Sequence, residues 1–148
     1  MIVFQKESEQ LLKDTIQMNG NAVAKEIEKI HREYTSVIQY NNENSLSSVL
    51  SIAYLSSMQY YFKPIREFPA GRGFADFVFI PKPEFQNYYP ALVVELKWDK
   101  SVRAALDQIR DGKYPEFVAC YAGELLLVGI NYNEKTKEHE CRIEKYEK

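Results

Sequence analysis

The chain has 148 residues, 45% of them apolar, and a formal net charge of −2. That is enough apolar mass for one globular core and too much for a disordered chain. The charge excludes a protein that coats nucleic acid by electrostatics alone, though not an enzyme with a local basic rim. No apolar run approaches the roughly eighteen residues of a membrane span.

The N-terminal "MIVF" is too short for the apolar region of a secretory signal, so the chain reads as cytoplasmic. Cys120 and Cys141 are its cysteines. Neither belongs to a CxxC, and His31 and His139 lack zinc-ligand spacing. A structural zinc site is therefore not expected, and the thiols read as reduced and partly buried.

Residues 1–40 read as a helical hairpin. Leu11, Leu12 and Ile16 form one short apolar face. Val23, Ile27, Ile30, Tyr34 and Val37 form a second at spacings of three and four. "MNGN" between them carries turn chemistry. The hairpin shows no catalytic pattern and reads as a packing or linking element. A third helix follows in "YNNENSLSSVLSIAYLSSMQYY", opened by asparagines suited to an N-cap. Its stripe is Leu46, Val49, Leu50, Ala53, Tyr54, Met58 and Tyr61. Glu43 falls on that stripe.

From Phe62 the period shortens. "KPIREFPAGRG" reads as a strand and turn, with Pro64 and Pro69 marking an edge or strand end. "FADFVFI" is a strand closed by "PKPEF", and "PALVVELKW" is its hairpin partner. Asp99 or Ser101 can cap the next helix, with Asp99 at its expected start. Val102, Ala105, Leu106 and Ile109 form its buried face, and Gly112 ends it. "KYPEFVACYA" reads as a short helix and "ELLLVGINY" as a buried strand. "NEKTK" is a polar turn, and "EHECRIEKY" alternates as an exposed last strand. These elements make an α/β (α+β) domain on a mixed central sheet, residues 41–148, behind the hairpin.

The chemistry concentrates in two strands. Glu95 and Lys97 are two residues apart and share a face. Asp76 interrupts an apolar run, where a lone carboxylate is costly. If the strands pair, Asp76 and Glu95 converge and repel, and a divalent cation relieves that repulsion. Carboxylate oxygens plus water suit Mg²⁺ or Mn²⁺. Lys97 can orient the attacking water or offset charge on a phosphorane-like transition state. The bland readings are a strand-end ion pair for Glu95 and Lys97, and a satisfied polar residue at a sheet edge for Asp76. Glu43 reads equally as a third acid or as a first-turn carboxylate favoured by the helix dipole.

Glu43, "GRGFAD" with Asp76, and "VVELK" with Glu95 and Lys97, followed by a helix, resemble the PD-(D/E)xK nuclease superfamily. "NENSLSSVLSIAY", "AGRGFADFVFIP", "VVELKWDKSVRAALDQI" and "LLVGINYNEKTKEHECRIEK" are similar to its DUF1703 branch. Those domains follow AAA-type ATPase domains in bacterial proteins. The resemblance spans residues 35–147. It implies a restriction-endonuclease-like αβββαβ core and Mg²⁺-dependent cleavage of DNA or RNA. It assigns metal binding to Asp76 and Glu95, service of the water to Lys97, and the helix acid to Glu43.

It also implies an active-site glutamine at Gln108. The match departs from the QxxxY pattern there, because Tyr114 follows six residues later, and a solvated helix residue is the bland reading. Arg72, Lys100, Arg103, Arg110 and Lys113 are candidates for a phosphate-binding rim, each also readable as a solvated charge. A P-loop motif is absent, so any ATPase partner is outside this sequence. A homodimer is a modest expectation for a nuclease that cuts both strands. The competing function is a catalytically silent binding or interaction module of the same fold.

Overall fold

The structure is a computed structural model, and it describes residues 2–38, 50, 54, 59–62, 65–66, 77–110 and 123–146. Helices α1 (Ile2–Ile16) and α2 (Gly20–Ile38) form the N-terminal hairpin. Met18 turns the chain with a positive φ of 61°. Asn19 Oδ1 accepts from the Ala22 backbone N–H at 3.2 Å, satisfying a donor of the first turn of α2. The expected third helix lies almost wholly outside the described residues. Leu50 and Tyr54 from that segment are buried, and the Tyr54 N–H donates to the Leu50 carbonyl at 3.1 Å.

Among the described residues, five strands form one sheet in sequence order: β1 (Ile65–Arg66), β2 (Phe77–Phe79), β3 (Ala91–Trp98), β4 (Leu125–Asn133) and β5 (Glu138–Lys145). Helix α3 (Val102–Gln108) crosses over between β3 and β4, which are therefore parallel; the other pairings are antiparallel. A 3-10 turn at Pro83–Phe85 lies in the β2–β3 connection. Tyr61 Oη donates to the Pro90 carbonyl at 2.6 Å where β3 begins.

Alternation along the strands sorts the core into two layers. Leu92, Val94 and Leu96 of β3, with Leu126, Val128, Ile130 and Tyr132 of β4, pack on Leu11, Leu12, Val23, Ile27 and Ile30 of the hairpin. Val78, Ala91, Val93, Leu125 and Leu127 pack on Leu106 and Ile109 of α3 and the residue after it. The hairpin thus covers one face and α3 the other. β5 alternates between exposed and partly covered positions, as its sequence pattern expects.

Two close approaches require glycine. A Cβ on Gly20 would overlap the Cys141 carbonyl oxygen, where α2 begins against β5. A Cβ on Gly129 would lie 3.0 Å from the Val102 carbonyl oxygen, 3.1 Å from Leu106 Cγ and 3.2 Å from Ala105 Cβ. The missing side chain lets α3 sit directly on β4.

A polar contact fixes the hairpin to the sheet. His31 of α2 and His139 of β5 meet Nδ1 to Nε2 at 2.8 Å, and Glu28 Oε1 lies 3.6 Å from His139 Nδ1. Burial and the neighbouring His31 and Arg32 push the His139 pKa down to about 3, so its ring is neutral near pH 7. Sequence spacing gave no sign of this pair, whose members are 108 residues apart. Among the described residues there is no helix long and apolar enough to cross a membrane.

Candidate nuclease active site

Glu95 and Lys97 lie on the α3 face of β3, in the same alternation as Ala91 and Val93. Glu95 has no exposed surface. Lys97 Nζ lies 3.7 Å from Glu95 Oε1, and 22% of its side chain remains exposed. The lysine also donates to Gln108 Oε1 on α3. One ammonium is therefore held between a strand carboxylate and a helix amide. Gln108 lies beside Lys97 and is not a freely solvated helix residue.

The turn that starts α3 is tied to the ends of both parallel strands. Ser101 is the N-cap, its Oγ accepting from the Ala104 N–H at 2.9 Å. Asp99, the expected start of the helix, does other work. It takes a positive φ of 54°, donates its N–H to the Tyr132 carbonyl at 2.8 Å, and accepts the Glu134 N–H on Oδ1 at 2.8 Å. Asparagine and aspartate tolerate this left-handed conformation better than most residues. The Lys100 N–H donates to Asn131 Oδ1 at 2.9 Å.

β2 brings the preceding strand alongside. Phe77 pairs with Val94 and Val78 with Val93. Val78 joins the α3 layer, the face that also carries Glu95. Asp76, Glu43 and Arg72 lie outside the described residues, as do Lys113, Tyr114 and Cys120. Among the described residues, no three His, Cys, Asp or Glu side chains cluster as a metal site.

The described basic candidates separate. Lys100 is exposed in the turn before α3. Arg103 is exposed and faces Asp107 at 3.9 Å. Arg110 binds Glu144 at 2.6 Å, and Arg142 lies 3.3 Å from the same carboxylate. These arginines line a cleft of about 200 Å³ between α3 and β5, whose lining includes neither Gln108 nor Lys97. A larger cleft of about 420 Å³ lies between α1 and Tyr60, Tyr88 and Tyr89, against the hairpin-side core. Cys141 is a partly buried thiol whose pKa is pushed up to about 12 by burial, which disfavours the reactive thiolate.

A mixed sheet with glutamate and lysine on one face of its central strand, a crossover helix over that face and a parallel strand beyond defines a restriction-endonuclease-like fold. The chain belongs to the PD-(D/E)XK nuclease superfamily, whose family model matches residues 41–141. Comparisons with curated proteins and with solved structures give no match.

Proposed function

We propose that this chain is a metal-dependent nuclease that hydrolyses phosphodiester bonds of DNA or RNA. The observation that carries the reading is the placement of the fully buried Glu95 together with the partly exposed Lys97 and Gln108 on one side of β3 and α3. Burying a carboxylate completely is costly without a cation, and Lys97 is engaged by Gln108 as well as facing Glu95. The donor set fits Mg²⁺ or Mn²⁺, which prefer carboxylate oxygens. Glu95 would hold the ion with Asp76, the acid that precedes β2; the Phe77–Val94 pairing supports their proximity. Glu43 would be the helix acid.

A divalent cation held by these carboxylates would supply Lewis-acid charge and would lower the pKa of a water at neutral pH. Lys97 would orient the attacking water or offset charge developing on the phosphoryl oxygens. Gln108 would position the ammonium by accepting a hydrogen bond from one of its N–H groups, leaving two N–H groups to point toward the reacting groups. Arg72, Lys100 and Arg103 would contact phosphates further along the substrate and carry no sequence information. The likeness to the DUF1703 branch supports a neighbouring AAA-type ATPase domain as partner.

The test is cleavage of single- and double-stranded DNA and RNA with Mg²⁺ and with Mn²⁺. Wild-type protein is expected to cut at least one substrate, and Lys97→Met to lose about 10²-fold or more of the rate. Wild-type protein that cuts none of the four with either ion would leave a silent module of the same fold.

A further inference from the structure

We propose that Asn131 is a further substrate-contacting residue, its side-chain NH₂ donating to a non-bridging oxygen of the phosphate held beside Lys97. The inference rests on the nuclease reading above for the identity of the ligand. Its evidence lies in β4, a strand that the acid and lysine motif does not include.

Asn131 pairs directly with Lys97 across the parallel β3–β4 ladder. Both residues lie on the α3 face, because Asn131 is two residues beyond Gly129, whose missing side chain admits α3. Neighbouring strands are about 4.8 Å apart, so the two side chains rise side by side. Asn131 is only 4% exposed, in a strand that is otherwise apolar up to that point. A buried amide is costly unless its polar atoms are used.

Only one end of this amide is used internally. The Lys100 backbone N–H can only donate, so the atom it meets at 2.9 Å must be the amide oxygen. That contact decides the orientation of the side chain and turns its NH₂ away from the Lys100 N–H. Among the described residues Asn131 Nδ2 donates to no group, and it is not one of the fully buried polar atoms, so the NH₂ opens to solvent where a ligand can reach it. Tethering the turn does not explain the NH₂, because the carbonyl oxygen alone makes that contact. Asp99 holds the same turn through Tyr132 and Glu134.

The position suits an anion. The parallel strands β3 and β4 both end here, the usual ligand end of such strands. A neutral donor beside an ammonium can grip a second oxygen of one phosphate without adding charge to an acidic site. Hydrogen bonds from fixed amides to developing anionic oxygens are among the larger catalytic contributions.

The experiment follows the Asn131 side-chain amide signals by NMR during titration with thymidine 5′-monophosphate in Mg²⁺, with thymidine as control. The phosphate is a product-like probe and cannot itself be cut at a diester. The Asn131 NH₂ signals are expected to shift with the monophosphate and to stay put with thymidine. Asn131→Ser, which retains a short acceptor near Lys100, is expected to lose about 10²-fold in kcat with little change in KM. Silent amide signals overturn the proposal, whether or not other residues respond. Cleavage by wild type with a silent amide removes Asn131 and leaves the nuclease reading intact. A phosphate-dependent shift without cleavage keeps Asn131 as an anion contact and removes the nuclease reading.

Discussion

Replacing Gly129 by alanine sets a methyl group between β4 and α3. The new Cβ would lie 3.0 Å from a backbone carbonyl, 3.1 Å from Leu106 Cγ and 3.2 Å from Ala105 Cβ. Each contact is tighter than ordinary carbon packing near 3.5–4.0 Å, by a few tenths of an ångström or more. The carbonyl belongs to the first turn of α3 and cannot rotate aside. Ala105 has no rotamer to change. Relief therefore requires lifting α3 from the sheet, which also draws Gln108 away from Lys97. Overpacking of this kind costs about 1–3 kcal/mol. For a domain of this size that corresponds to a drop of about 3–10 °C in Tm. Thermal unfolding followed by circular dichroism reads the change, and cleavage rate should fall with it. A variant that melts at or above the wild-type temperature would refute the close seating of α3 on β4.

Other expectations follow from the same physical picture. His139 has a folded pKa of about 3 against an ordinary 6.5. The unfolded chain therefore binds the extra proton between those values, so this contribution is complete above pH 6.5 and is lost as pH falls toward 3. Between pH 7 and pH 5 the loss is about 2 kcal/mol, and His139→Phe should flatten that part of a urea-denaturation pH profile. An unchanged profile would contradict the neutral buried ring. Tyr61→Phe removes the buried bond to the Pro90 carbonyl and should cost about 1–2 kcal/mol in chemical denaturation; a loss below the experimental error would show that bond to be dispensable. Glu95→Gln replaces a fully buried carboxylate by a neutral isostere, so its Tm in EDTA should exceed that of wild type while cleavage is lost. A lower Tm in EDTA would mean that Lys97 and the surrounding dipoles already compensate the charge.

The parts of the architecture written as local periodicity were readable from the sequence. The 3.6-residue pattern located the hairpin, short apolar runs located β2, β3 and β4, and alternation located β5. Glu95 and Lys97 were legible as a pair because a period of two puts them on one face. The link from Lys97 to Gln108 is tertiary: it depends on the crossover angle of α3, which Gly129 helps set from a different strand. Of the two cap candidates for α3, Ser101 is the cap and Asp99 does not start the helix. Asp99 is drawn into a left-handed turn by Tyr132 and Glu134, contacts that follow its residue by more than thirty positions. Ser101 is left to cap the helix. Asn131 gave no local signal because its meaning comes from strand register, and the register of a parallel pair is not written in either strand alone. The His31–His139 contact was hidden for the same reason.

The central claim is that a divalent cation is held by Glu95 together with Asp76. Mn²⁺ titration of the full chain, followed by electron paramagnetic resonance, tests it without requiring a substrate. The account predicts saturable Mn²⁺ binding by wild type, competition by Mg²⁺, and loss of binding in both Asp76→Ala and Glu95→Gln with the fold retained. Binding that survives both substitutions, or no binding by the folded wild-type protein, would contradict it.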